Sequence, residues 1–272
     1  MKLLLSALAL LLATGPIFAA DTPHPFNAHD LVMMDRVNDP QLSPDGSKVA
    51  FTVRETDYAA NKGITSIWLL DIGLADTKPQ KLAEGSSPHW SADGKSLYFL
   101  STKSGSSQLW RANAVGGDLQ QVSSYPLDIN NFKISPDDKR VLMSMDVFTD
   151  CDDLACSKAR LDKRAADKAS GRLYTQLFIR HWDTWMDGRR TQLFMAGIGA
   201  DGKLDGNPVW LTHGLDGDIP SKPEGDDSEY AFSPDGKTVY FDAKIGGSVQ
   251  AWSTNFDVYS VPVDGSASPK NL

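Results

Sequence analysis

The chain has 272 residues, with 35 acidic against 27 basic side chains and a formal net charge of -8, so it is long enough for one large domain or two ordinary ones and for a sizeable core. Hydrophobic residues make up 41% and charged residues 23%, a globular composition that excludes wholesale disorder. The basic residues form no long run, which argues against a nucleic-acid surface, because phosphate binding needs clustered Lys and Arg.

The first twenty residues have the layout of a secretory signal peptide. Lys2 precedes the apolar run Leu3 to Ala13, then come a Gly15-Pro16 break and the small pair Ala19, Ala20. Cleavage is expected near Ala19 or Ala20, giving a mature protein from about Asp21 that is periplasmic or secreted. The run is too short to leave a membrane span, and the other reading is a buried N-terminal helix.

From there a ten-residue phrase recurs: LSPDGSKVAF at 42–51, WSADGKSLYF at 90–99, ISPDDKRVLM at 134–143 and FSPDGKTVYF at 232–241. Pro presets one backbone angle of a turn, Asp bonds back to the local backbone, and Gly takes a conformation that other residues resist. The alternating apolar residues that follow, such as Val49, Phe51 and Val53, have the period of a half-buried strand. Further strands are predicted at 66–72, 108–114, 192–198 and 257–263, each followed by a Leu- or Val-bearing segment. The turn serines recur 48 and then 44 positions apart, and the last interval, Ser135 to Ser233, is about twice as long. A period in the forties with about four short strands per unit predicts β-propeller blades.

The fold class is therefore all-β, a propeller fragment of about four blades over 21–272, with turns at 43–46, 91–94, 135–138 and 233–236. Leu272 stands where Leu82 precedes the next turn in the first unit. On that ground the last unit is expected to lack a closing strand and to leave an open arc with an exposed edge.

The long third interval holds an insertion at about 150–172. Asp150, Asp152 and Asp153 lead; Lys158, Arg160, Lys163, Arg164 and Lys168 follow, an order that complements a helix dipole. Leu154, Leu161 and Ala165 share a helical face, and Gly171 is the expected stop. Cys151 and Cys156 close a short loop, for which an exported chain favours a disulfide over two free thiols. The helix either covers a cavity or is a solvated decoration on a blade.

Next comes FIRHWDTWMDGRR, 178–190. Asp183 or His181 could hold a polar group of a substrate beside Trp185; alternatively the tryptophans are core and Arg180 pairs with Asp183 or Asp187. The loop GDIPSKPEGDDSEY, 217–230, carries Glu224, Asp226, Asp227 and Glu229 and is expected along one face, where propellers bind things.

No Gly-x-Ser-x-Gly elbow is present, the five histidines lack metal-ligand spacing, and no Gly-rich phosphate loop is found. The residues alone point to an exported binding or gating propeller without catalytic residues, metal or cofactor.

The turns after a signal peptide, the CDDLACSKARLDKR insertion, FIRHWDTWMDGRR and GDIPSKP, in that order, resemble the N-terminal propeller of secreted bacterial peptidases of the prolyl oligopeptidase family, nearest to dipeptidyl-peptidase 5 and acylaminoacyl-peptidase-like enzymes. The likeness runs from about Asp21 to Leu272; the turn motif by itself is shared with TolB-type interaction propellers, the alternative reading. The resemblance implies a propeller of seven or eight blades over a C-terminal α/β-hydrolase domain carrying Ser, Asp and His. That domain is absent from 21–272, so no triad residue is assigned. It further implies peptide substrates, room for a homodimer of the parent, and acidic groups that hold a substrate's free amino terminus. Asp152, Asp153, Asp183 and Glu224 are the candidates.

Overall fold

The structure, a computed structural model, describes residues 24–174 and 179–272. The predicted signal peptide lies outside the described residues.

The chain enters through a short helix, α1 (Ala28–Met33), that the sequence pattern does not predict. Asn27 caps it, accepting from the backbone N–H groups of His29 and Asp30, while the Asp30 carboxylate accepts from the Asn27 N–H, a reciprocal cap that offsets two of the orphan donors of a helix start.

Four antiparallel sheets follow, each of four strands in chain order. The first holds β1 (Arg36–Leu42), β2 (Lys48–Asp57), β3 (Lys62–Asp71) and β4 (Gln80–Glu84). The second holds β5 (Ser86–Trp90), β6 (Ser96–Ser101), β7 (Gln108–Asn113) and β8 (Gln120–Gln121). The third holds β9 (Ile129–Ile134) and β10 (Arg140–Val147), then, after helix α2 (Leu154–Ala166) and the small hairpin β11 (Arg180–His181) and β12 (Thr184–Trp185), β13 (Arg190–Gly197) and β14 (Val209–Trp210). The fourth holds β15 (Tyr230–Phe232), β16 (Thr238–Ala243), β17 (Asp257–Pro262) and β18 (Lys270–Asn271).

Each recurring turn joins the first and second strands of one sheet, so a blade begins one strand before its turn. The fourth sheet is accordingly not short of a strand, contrary to the expectation, because β15 supplies the member thought to be missing. The four turns share one bonding scheme. The serine Oγ donates to the Asp two residues on at 2.6, 2.7, 2.6 and 2.6 Å in chain order. The same Oγ accepts the backbone N–H of Lys48, Ser96, Arg140 or Thr238. Gly46, Gly94 and Gly236 have φ of +71°, +68° and +66°, and Asp138 holds the same place at +56°. A residue other than Gly is strained there, and Asp138 offsets that strain with bonds of its own. Its carboxylate accepts the N–H groups of Ala92 and Asp93 in the neighbouring blade at 2.9 and 3.3 Å.

Three clusters form the core, each built at a seam between successive blades. Ile67 and Ala50 pack on Leu97 and Phe99; Tyr98, Leu100 and Leu109 on Phe132, Met143 and Phe194; Leu142, Leu193 and Met195 on Val239, Phe241 and Tyr259. Each such buried side chain contributes about 1.5–3 kcal/mol, and a lone blade could not bury both of its faces. The first strands touch one another in sequence, β1 on β5, β5 on β9, and β9 on the turn Asp227–Glu229 that leads into β15. They therefore form the inner side of the arc.

Helix α2 ends at Ala166, short of the predicted stop at Gly171, because Asp167 leaves helical geometry at φ -70°, ψ 130°. Cys151 and Cys156 form a disulfide at its start. Arg160 and Arg164, one turn apart, both lie over the Phe148 ring, at 4.5 and 4.6 Å. Phe148 N–H donates to Ser157 Oγ at 3.1 Å, so the helix is fastened back onto the end of β10.

Candidate functional site

Because strands alternate in direction, each sheet presents the Ser-x-Asp turns at one end. The connections between second and third strands and the links between blades lie at the opposite end. All five residues proposed from the sequence lie in connections at this second end, in three separate pieces. Asp153 is the N-cap of α2, its carboxylate accepting Cys156 N–H at 2.7 Å, and Asp152 is exposed beside it. Asp183 is exposed at the tip of the β11–β12 hairpin. Trp185 is 51% exposed and Trp182 70%, so neither belongs to the core. Arg180 pairs with neither acid proposed for it; its guanidinium lies over the Trp185 ring at 5.2 Å. Asp187 instead binds Arg189 at 2.7 Å; although burial works against it, the Arg189 N–H and guanidinium hold the Asp187 carboxyl below its usual range. Glu224 is exposed in the loop before β15. Among the described residues, none of the five bonds to another.

What the fold does bring together at this end is a charge network absent from the proposed set. Arg190, the first residue of β13, donates to Asp216 and Asp218 at 3.0 Å each and to Gln250 at 3.0 Å. Asp218, only 6% exposed, also accepts the Thr191 N–H at 2.9 Å. Lys222 bridges Asp146, at the end of β10, and Asp218 at 2.9 and 3.6 Å. The network locks the loop 217–230 onto the ends of β10 and β13. Each pair joins residues distant in sequence, so no local pattern marks it; the only signal is that GDIPSKP concentrates charged residues beside prolines.

On the inner side, three blades contribute one charged group each. His89 of β5 and Lys133 of β9 both approach Asp227 at 3.8 Å. Burial lowers the His89 pKa, against the opposing pull of Asp227 and Asp39. Lys133 also donates to the Tyr230 carbonyl at 2.9 Å and lies over its ring. These side chains can offer a donor, an acceptor and a cation to a polar chain passing along the inner side. They form no nucleophile–base pair, and no cluster of three or more metal-ligating side chains exists among the described residues.

A family model described as the TolB beta propeller domain matches residues 32–167. The chain belongs to the TolB-type β-propeller family. Beyond that module, this propeller is 30% identical over 237 residues to dipeptidyl-peptidase 5 of Porphyromonas endodontalis, covering 84% of this chain and 32% of the relative. It is 30% identical over 266 residues to dipeptidyl-peptidase 5 of Porphyromonas gingivalis, covering 91% and 35%. In fold it is similar to uncomplexed Pyrococcus horikoshii acylaminoacyl peptidase, with a TM-score of 0.59 at 13% identity over 89% of this chain and 32% of that one. The chain thus spans about a third of the length of the relatives it matches.

Proposed function

We propose that this propeller is the gating and substrate-selecting part of a secreted serine peptidase that acts on short peptides, releasing dipeptides or acylated residues. The serine, aspartate and histidine of the reaction would come from an α/β-hydrolase domain outside residues 1–272. The observation that carries the reading is the likeness to two dipeptidyl-peptidase 5 proteins along 84% and 91% of the chain, well beyond the propeller module of 32–167. Residues 1–20 would direct export to the periplasm or beyond. The inner His89, Lys133 and Asp227 would contact a peptide in transit. The exposed Asp152, Asp183 and Glu224, with Trp185, lie at the loop-bearing end and would meet its amino terminus; Asp153 is committed to capping α2. A homodimer of the parent belongs to the same proposal.

The test is to purify the product of the natural gene and assay dipeptidyl chromogenic substrates. Cleavage blocked by a serine-directed phosphonate, with residues 21–272 alone inactive, is the expected result. In the active protein Glu224→Lys should raise KM more than it lowers kcat, because it repels a substrate amino group without touching the reacting atoms. A product without peptidase activity that retains a stable partner in pull-downs would favour the second reading, an interaction propeller, which the TolB family match supports.

A further inference from the structure

The seams between blades repeat position by position, and that repetition shows what the outer face of the fourth sheet is built for. Nine residues after each turn serine stand Thr52, Leu100, Ser144 and Asp242, paired across to Ile67, Leu109, Leu193 and Val258. Ile67, Leu109 and Leu193 are 0% exposed beneath the following blade, while Val258 is 53% exposed. Two residues earlier in each blade, Ala50, Tyr98 and Leu142 are buried, while Tyr240 is 42% exposed. The fourth sheet thus presents, bare, the surface that three other sheets bury.

Its polar centre is also unfinished. Where the equivalent residue is polar in an earlier blade, it has a partner: Thr52 Oγ1 donates to the Asn38 carbonyl at 3.1 Å, and Ser144 Oγ to Asn131 Oδ1 at 2.5 Å. That same Asn131 oxygen accepts the Tyr230 hydroxyl of the fourth blade at 2.9 Å, so a hydroxyl crosses the third seam. Asp242 Oδ1 is buried and has no hydrogen-bond partner. It lines a cleft of about 350 Å³ with Glu229, Tyr240 and Val258. Burial first and the Glu229 charge second push the Asp242 carboxyl upward, the sign of a carboxylate without a compensating donor. A buried acceptor left unmade is costly, and an exposed apolar face invites a cover.

We propose that this face seats a fifth blade-type sheet of the same polypeptide, and that the incoming sheet presents a hydrogen-bond donor, a hydroxyl, amide or cationic side chain, to Asp242. The occupant is argued from continuity with the three existing seams and from relatives of which this chain spans only 32% and 35%. The inference rests on the propeller and not on the peptidase activity. Its key is Asp242: a sheet without a donor at that point would bury an orphaned carboxylate.

The experiment compares hydroxyl-radical footprints of the 272-residue chain and of the protein purified from cells carrying the natural gene, each with and without Asp242→Leu. Tyr240 should be labelled several-fold more slowly in the native protein. Asp242→Leu should raise the melting temperature of the shorter chain, which loses an unpaired carboxylate, and lower that of the native protein, which loses a bonded one. Equal labelling of Tyr240 in both proteins would overturn the proposal. So would a shorter chain that is dimeric with Tyr240 protected, since a second copy would then be the occupant. A fall in melting temperature of both proteins on Asp242→Leu would overturn the donor. Protection of Tyr240 in a protein without peptidase activity would sink the functional reading and leave this one standing.

Discussion

The two ends of these sheets are built on different rules. At one end, residues 43–46, 91–94, 135–138 and 233–236 make the same turn four times. At the other, the connection between second and third strands is residues 58–61 in the first blade and 148–189 in the third. The turns repeat because each is closed by bonds among a handful of adjacent residues, so one short phrase specifies the geometry wherever it is written. The loop-bearing end is held by pairs such as Arg190–Asp218 and Lys222–Asp146, which any blade could do without. That freedom is what lets a scaffold carry a site.

Breaking the loop-bearing end at its most buried pair should have the largest effect. Asp218→Ala leaves Arg190 and Lys222 short of a carboxylate and Thr191 N–H without its acceptor; a loss of about 3–5 kcal/mol is expected, read from urea unfolding. A loss comparable to that of an exposed ion pair would mean that water replaces the carboxylate.

On the turn end, Ser135→Ala removes the hydroxyl that joins Asp137 to the Arg140 N–H, and should cost about 1–3 kcal/mol. Ser43→Ala and Ser233→Ala should cost similar amounts, because the bonding is the same. Divergent values would show that the turns are alike in shape only.

The disulfide sharpens the contrast from the other side. Cys156→Ser opens a loop of only a few residues and should cost at most about 2 kcal/mol, with hydrogen exchange rising in α2 while the four sheets keep their protection. Loss of protection throughout would make the insertion part of the folding core.

The smallest effect concerns protons. Bonds from the Ser43 hydroxyl first, and from Ser47 next, lower the Asp45 pKa from 3.8 to about 2; Asp137 and Asp235 are lowered chiefly by Ser135 and Ser233, and Asp93 chiefly by the Lys95 N–H. Between the folded and ordinary values the unfolded chain binds more protons, so stability from Asp45 is complete above about pH 4 and is lost as pH falls through about 2. Asp45→Asn should flatten that part of an acid titration of the melting temperature. An unchanged slope would assign acid sensitivity to the loop-bearing end.

These differences explain what could be read from the residues. The blades were legible because Val49, Phe51 and Val53 alternate and because the turn phrase recurs. The boundary of a blade was not, since a strand that precedes a turn and one that follows it look alike until their pairing is seen. Helix α1 escaped notice because six residues carry little periodicity, although Asn27 and Asp30 spell its cap. At the site, Asp183 and Trp185 stood out by composition. The network around Asp218 and the group of His89, Lys133 and Asp227 did not, because each joins residues far apart in the chain and only the stacking of sheets makes them neighbours.

Every described sheet takes its four strands in chain order, with no strand borrowed from another blade. A ribosome would therefore release each blade as a finished unit before beginning the next, and no strand would wait for a distant mate. The third blade is the exception in tempo, since β10 must stand by while 148–189 are made before β13 arrives to pair with it. That interval is where a translation pause or a chaperone would matter most.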